Sequence, residues 1–249
     1  MSIRAVLFDL GYTLLDYPLQ GSWREYLQVR LAEMHPLICP VAAGSAVVTA
    51  EEFVRIASEI IGGEQAREIE YSGRSWPFTS RFVNALEALG ICCDQRMSEW
   101  ATESLLETVR ARVAPCVDTH GTLTSLQAGG LKLAVVSNSP WDTPGRLGRA
   151  DMARCGIGEF FGAMLFSGDL PWRKPNPEFM WEAARELGVE PEACLVVGDS
   201  LEVDIAGAAA AGMRSIWINR EQATAAPDGP QPDWVARTLS EAMGIVRAL

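Results

Sequence analysis

Asp9, Ser137, Asn138, Lys174, Asp199 and Asp204 are the residues of this chain whose types and spacing could do chemistry together. Asp9 closes the apolar run Ile3-Arg4-Ala5-Val6-Leu7-Phe8 and opens a loop that runs to Asp16. An ionised carboxylate at the end of a buried strand can attack phosphorus or carbon to give a covalent intermediate, and can hold Mg²⁺ through its other oxygen. On Asp9 alone, a loop-capping carboxylate is the better reading. Ser137-Asn138 follows Leu133-Ala134-Val135-Val136. A hydroxyl and backbone N–H groups at a strand end can receive a phosphoryl oxygen, but a Ser-Asn turn is common in any fold. Lys174 lies in Arg173-Lys174-Pro175-Asn176-Pro177. Asn176 suits a helix N-cap and Pro177 a first helical turn, so a lysine just before them is held on stiffened backbone. A fixed ammonium there can neutralise a carboxylate and a transferring phosphoryl group together. Asp199 and Asp204 flank a helix start in Gly198-Asp199-Ser200-Leu201-Glu202-Val203-Asp204, where Gly198 permits a tight exit from a strand. Asp204 also has an ordinary role as a helix-terminus charge. Two carboxylates converging on Asp9 would repel unless a cation sat among them, which argues for Mg²⁺.

The elements that must position these groups are legible as alternating patterns. Five short apolar runs, at residues 3–8, 131–136, 163–166, 194–197 and 214–218, predict buried strands of a parallel sheet. Helix-like segments at about 142–155, 177–187 and 202–211 lie between the later ones. This alternation predicts a doubly wound, Rossmann-like α/β sheet, whose functional loops sit at the carboxyl ends of its strands. The alanine run before Gly212 predicts a small-residue helix face packed on the sheet, with Gly212 as its C-terminal cap. Residues 17–113 contain no convincing strand. Apolar residues recur there at helical spacing (Trp23, Leu27, Leu31 and Met34; Phe53, Ile56 and Ile60; Phe82, Ala85, Leu86 and Leu89; Trp100, Leu105, Leu106 and Val109). The expectation is an inserted all-helical cap of four or so helices over a core of residues 1–16 and 114–249, punctuated at His35-Pro36, Gly62-Gly63 and Trp76-Pro77. A helical insert over the mouth of an α/β site suggests a lid. Arg74, Trp76 and Arg81 are its candidate substrate selectors.

Bulk properties exclude several functions. A net charge of -11 is unsuited to general nucleic-acid binding, which neutralises phosphates with excess Lys and Arg. The six cysteines form no CxxC pair and only two histidines accompany them, so a zinc site is not expected; reduced thiols of a cytoplasmic protein are. The first apolar run is too short for a signal peptide, and no stretch reaches the roughly 18 apolar residues needed to span a bilayer. Only residues 223–232, rich in Ala and Pro, have a composition suited to disorder.

Taken in order, the Phe8-Asp9-Leu10-Gly11-Tyr12-Thr13 opening, Val135-Val136-Ser137-Asn138, Arg173-Lys174-Pro175-Asn176-Pro177 and Gly198-Asp199 through Asp204 give the chain a resemblance to the haloacid dehalogenase superfamily of hydrolases, in particular members with a helical cap inserted after the first motif. The resemblance spans nearly the whole chain. It implies that Asp9 is the nucleophile and that Thr13, the motif's usual Thr, and Lys174 complete the catalytic positions. Ser137, Asn138 and Lys174 would bind the phosphoryl group. Asp9, the Gly11 backbone carbonyl, Asp199 and Asp204 would hold Mg²⁺. Phosphatases of the family usually carry a second Asp two residues after the nucleophile, which protonates the leaving alcohol; here that position is Gly11. Three readings follow. The chain is a phosphohydrolase of a small phosphorylated metabolite, with a good leaving group or an acid from Asp16, Tyr12 or the cap. It is a 2-haloacid dehalogenase, whose carbon–halogen cleavage needs no acid, although those enzymes typically lose the Gly-Asp of the last motif. Or it is a degenerate member that binds a ligand or protein without turnover. The expected partner is a small phosphorylated substrate, with neither nucleic acid nor membrane, in a cytoplasmic monomer or homodimer.

Overall fold

A computed structural model describes residues 2–39, 48–224, 226 and 228–249. Its core is one parallel six-stranded sheet in the order β5-β4-β1-β6-β7-β8, formed by β1 (Ala5–Phe8), β4 (Lys132–Ser137), β5 (Ala163–Phe166), β6 (Cys194–Gly198), β7 (Arg214–Ile218) and β8 (Trp234–Ala236). The central β1 pairs with β4 and β6, so Phe8 lies beside Val135 and Val197 and the three strands end together. That register brings the segments carrying Asp9, Ser137 and Asp199 to one edge.

Alternation along the strands divides the core into two layers. Val6, Phe8, Leu133, Val135, Leu195 and Val197 face one side. There they meet α6 (Thr119–Ala128), α7 (Gly145–Arg154) and α10 (Leu239–Arg247) through Leu123, Leu126, Met152 and Leu239. Ala5, Leu7, Ala134, Val136 and Val196 face the other, packed on Phe179, Met180 and Ala183 of α8 (Pro177–Leu187) and on Ala208 of α9 (Ala206–Ala210). The strands are buried on both faces, which is why they read as unbroken apolar runs. Asn176 caps α8 by accepting the Glu178 N–H, with Pro177 following. Gly212 follows α9 with φ +71°, the left-handed conformation a helix C-terminus favours glycine for.

The chain leaves and re-enters the core through a two-stranded antiparallel ribbon, β2 (Leu15–Asp16) with β3 (Ala114–Pro115). Between them lie five helices among the described residues, one more than the spacing predicts: α1 (Trp23–Ile38), α2 (Ala50–Gly62), α3 (Glu64–Tyr71), α4 (Phe78–Ala88) and α5 (Gln95–Arg110). Their own core contains Leu27, Leu31, Phe53, Phe82, Leu105 and Val109. Two local expectations are corrected. His35-Pro36 does not end α1; the helix continues to Ile38, because Met34 and Ile38 are both buried in the cap core and Cys39 N–H still bonds the His35 carbonyl. The buried ridge of α2 is Phe53–Ala57–Ile61 and not Phe53–Ile56–Ile60, a rotation of one residue about the helix. The Ala- and Pro-rich stretch 223–232 falls partly outside the described residues.

The cap is fastened to the core by charge as well as apolar contact. Trp141, just beyond β4, packs into the cap cluster and meets Trp23 edge-on at 5.6 Å. Asp142 beside it has no exposed surface. It accepts from the Trp76 N–H at 2.9 Å, from Arg81 at 3.0 Å and from Arg173 at 3.1 Å. Glu70 of α3 pairs with both arginines. Trp141 and Asp142 have φ of +50° and +51°, a conformation costly for residues with side chains, and this set of contacts holds them there.

Candidate active site

Asp9 sits directly after β1, its N–H bonded to the Val197 carbonyl. The next residues turn back sharply: Leu14 and Leu15 donate to the Leu10 carbonyl, and Tyr12 donates to that of Leu15 with φ +57°. Arg220, two residues past β7, donates to the carbonyls of Tyr12 and Thr13 and holds this turn from outside. Thr13 is fully buried, and its hydroxyl has no hydrogen-bond partner.

Lys174 closes the arrangement. Its Nζ donates to Asp9 Oδ1 at 2.5 Å, Asp204 Oδ1 at 2.7 Å and the Val136 carbonyl at 2.7 Å. Asn138 positions it: the side-chain amide donates to the Lys174 carbonyl and accepts from its N–H, both at 2.9 Å. The Asn138 side chain thus bonds the lysine backbone, while the residue also lines the cavity beside Ser137. Ser137 remains as the hydroxyl of that pair, buried at the end of β4 and lining the same cavity as Asp9.

Asp204 falls in a single π-helical turn (Leu201–Ile205), a local widening often found at functional sites. Its Oδ2 accepts the Ser200 N–H at 3.0 Å. Gly198 serves this residue rather than the strand exit alone, since a Cβ there would lie 2.3 Å from the Asp204 carboxylate. Asp199 is fixed through its backbone, whose carbonyl accepts from Trp217 Nε1 at 2.8 Å.

The carboxylates of Asp9, Asp199 and Asp204 offer oxygens within 4.8 Å of one another. One ammonium thus serves three acids. Burial raises Asp9 to about 7, against the pull of Lys174 and with the repulsion of Asp204 and Asp199. Burial likewise raises Asp199 to about 6, helped by Asp204 and opposed by Lys174. Desolvation works to lower Lys174, but Asp204 and Asp9 outweigh it and its pKa is raised. The cluster is short of positive charge. A hard cation with all-oxygen ligands fits the donor set.

A cavity of about 360 Å³ opens over Asp9, Ser137, Lys174 and Asp199 and extends beneath the cap. Tyr17, Trp23, Val109, Arg110 and Trp141 line it, whereas Arg74, Trp76 and Arg81 do not. Arg81 is instead buried in the cap–core junction, bonded to the Trp76 and Ile61 carbonyls with its guanidinium over the Trp76 ring. Arg74 is exposed, on a bridge to Trp172. The lining above the strand ends comes from both ends of the insert, from Glu70 of α3 and from the segment after β4. Helical spacing marks Val109 and Trp23 as apolar-face residues but does not say that this face closes a cavity.

A parallel, doubly wound α/β core with a helical insert, and a lysine-bridged carboxylate cluster at the strand ends, define the class of a Rossmann-like protein with a carboxylate-centred site. Known proteins agree. The family model described as HAD-hydrolase-like matches residues 171–242. Glyceraldehyde 3-phosphate phosphatase of Methanopyrus kandleri is 30% identical over 255 residues, covering 99% of this chain and 98% of that protein. Phosphoserine phosphatase of Thermus thermophilus is 32% identical over 172 residues, 67% of this chain and 66% of that one. Among solved structures, a HAD phosphatase from Thermococcus onnurineus is 27% identical, with TM-score 0.65 over 98% of each chain. A 2-haloacid dehalogenase from Pseudomonas syringae pv. tomato is also 27% identical, with TM-score 0.69 over 99% of this chain and 98% of that one. The chain belongs to the haloacid dehalogenase superfamily and is a hydrolase.

Proposed function

We propose that this chain is a Mg²⁺-dependent phosphohydrolase of a small phosphorylated metabolite, with the core at residues 1–16 and 114–249 and the cap at 17–113 as its lid. The observation that carries the reading is the Lys174 ammonium bridging Asp9 and Asp204 at the floor of the cavity, with Asp199 within reach. Asp9, the Gly11 carbonyl, Asp199 and Asp204 would hold the metal. Mg²⁺, when bound, supplies the missing positive charge and draws electrons from the phosphoryl oxygens.

The chain's own residues do the rest. The free carboxylate oxygen of Asp9 attacks phosphorus in line, forming an aspartyl-phosphate as the bond to the leaving oxygen breaks. Lys174 favours the ionised form of Asp9 against the burial that opposes it, and stabilises the negative charge that gathers on the equatorial oxygens, together with the Ser137 hydroxyl and that of Thr13. Water then attacks phosphorus, releasing inorganic phosphate and restoring Asp9. Because Gly11 offers no proton, the leaving oxygen departs as an anion and is protonated by water, so a stabilised leaving group is favoured.

Gly11 also suits the 2-haloacid dehalogenase reading, as does the likeness to the Pseudomonas syringae structure. Gly198, Asp199 and Asp204 weigh against it, because attack on carbon has no use for a cation-binding acidic pair. Release of phosphate and halide from a panel of phosphate esters and 2-haloacids, with and without Mg²⁺, separates the two. Metal-dependent phosphate release that Asp9→Asn abolishes is expected; metal-independent halide release would replace the proposal. Six free cysteines fit a reducing compartment, and no helix among the described residues is long and apolar enough to cross a membrane.

A further inference from the structure

The cavity holds three cationic side chains among the described residues, Arg110, Arg173 and Lys174, and each is already paired with acid. Lys174 is shared by Asp9 and Asp204. Arg173 lies 3.1 Å from both oxygens of Asp142 and 3.2 Å from Glu70. Arg110, at the end of α5, donates from Nε to both oxygens of Asp151 at 3.1 and 3.0 Å, and from Nη2 to the Leu147 carbonyl. Asp142 and Asp151 are at most 1% exposed, so drawing either arginine toward a ligand would break a buried ion pair and leave Asp142 to Arg81 alone and Asp151 to Arg154 alone for charge. Asp151 is further held by Tyr17 and Arg154.

The remaining lining brings no positive side chain: it is apolar, acidic, or neutral and polar, as at Tyr12, Ser139 and Ser200. Trp23, Leu106, Val109, Trp141 and Leu147 form the apolar part. Glu70 and Asp151 also line the cavity, and their charge is met by the arginines they pair with. A phosphoryl dianion with one divalent cation uses up the charge this cavity can offer. A second anion on the substrate would be desolvated with no free cation to receive it.

Resting on the phosphohydrolase reading, we infer that the substrate is a phosphate monoester whose leaving group is uncharged: a hydroxyl-, carbonyl- or ring-bearing group of modest size, with no carboxylate or second phosphate. The Arg110–Asp151 pair is the specificity element. It looks like an anion receptor by residue type, but Asp151 has already filled it.

Matched substrates test this. Glycerol 3-phosphate is compared with 3-phosphoglycerate, and phenyl phosphate with 4-carboxyphenyl phosphate, in the presence of Mg²⁺. In each pair the uncharged member is expected to have the higher kcat/KM by about a hundredfold, the scale of leaving one buried charge unpaired. Equal values, or preference for the carboxylates, would overturn the inference. Should none of the four be hydrolysed, the phosphohydrolase reading falls. The specificity claim is then decided separately by titration calorimetry of Asp9→Asn protein with Mg²⁺ and each phosphate, where equal affinities within the pairs refute it. The isosteric Asp151→Asn variant frees Arg110 and is expected to move the preference toward the carboxylates by about tenfold. An unmoved preference would show that this pair does not set it.

Discussion

Restoring a carboxylic acid at position 11 should convert a leaving-group-limited enzyme into one that protonates. Gly11 is suited to the change: its backbone is outside the left-handed region, and a Cβ there would meet only the Tyr17 ring, at 3.8 and 3.9 Å, ordinary contact distances. Gly11→Asp therefore fits without backbone strain and leaves the Gly11 carbonyl in place for a metal. General acid catalysis is worth about 10²–10⁴ in rate, or about 3–5 kcal/mol of barrier. That gain should appear in kcat on alkyl phosphates, whose alkoxide is a poor leaving group. It should shrink on aryl phosphates, because a phenol with pKa of about 10 already departs as a stabilised anion. The assay is kcat across phosphate esters of graded leaving-group acidity, for the parent and the variant. The parent should show a steep dependence on leaving-group acidity and the variant a shallow one. An unchanged slope in a folded, metal-binding variant, or an equal gain on every ester, would refute the idea that a missing acid limits the enzyme.

Three further outcomes follow from the site and the cap junction. In metal-free protein Asp9 holds its proton up to about pH 7 and Asp199 to about pH 6, whereas both lose it near 3.8 when unfolded. The folded state binds more protons across that window, so stability should fall as pH rises through it; Mg²⁺ should raise Tm more at pH 8 than at pH 5, read by calorimetric scans with and without the metal. Thr13→Val removes a buried hydroxyl that has no protein partner, so Tm should hold or rise slightly while kcat/KM falls by about a hundredfold, the value of one donor to developing charge; a large loss of Tm would give the hydroxyl a structural role instead. Arg81→Met strips the buried guanidinium from Glu70, Asp142 and two carbonyls, and should cost about 3 kcal/mol in urea unfolding; a cost below about 0.5 kcal/mol would mean that Arg173 alone sustains the junction.

The parts of the fold legible in sequence are those whose signals are local. β5 matches its apolar run at both ends because a strand buried on both faces has no polar interruption, and α8 matches because Asn176, Pro177 and the left-handed Gly188 mark its limits. The strand-end carboxylates, Ser137 and Lys174 were legible for a related reason: each follows such a run directly, or stands beside a helix cap. The ribbon β2–β3 was not, because it pairs two-residue strands about a hundred positions apart, and β8 has only three residues. The side-chain partner of Asn138 is the backbone of a residue 36 positions away, which local spacing does not reveal. Arg81 offered the right charge for a substrate selector, yet its direction is decided by Asp142 and Glu70, which local spacing does not bring together. Nothing in Pro140-Trp141-Asp142 announces two successive left-handed residues; the contacts that hold them come from the helical insert and from Arg173, both distant in sequence.

The covalent role of Asp9 is tested most directly by acid-quenching a single turnover of a phosphate ester with Mg²⁺ and mapping the modified peptides by mass spectrometry. A transient phosphoryl group on the peptide that contains Asp9, absent from Asp9→Asn, is the predicted result. Phosphate release from substrate with no such adduct at any time, or an adduct on a different peptide, would contradict the account.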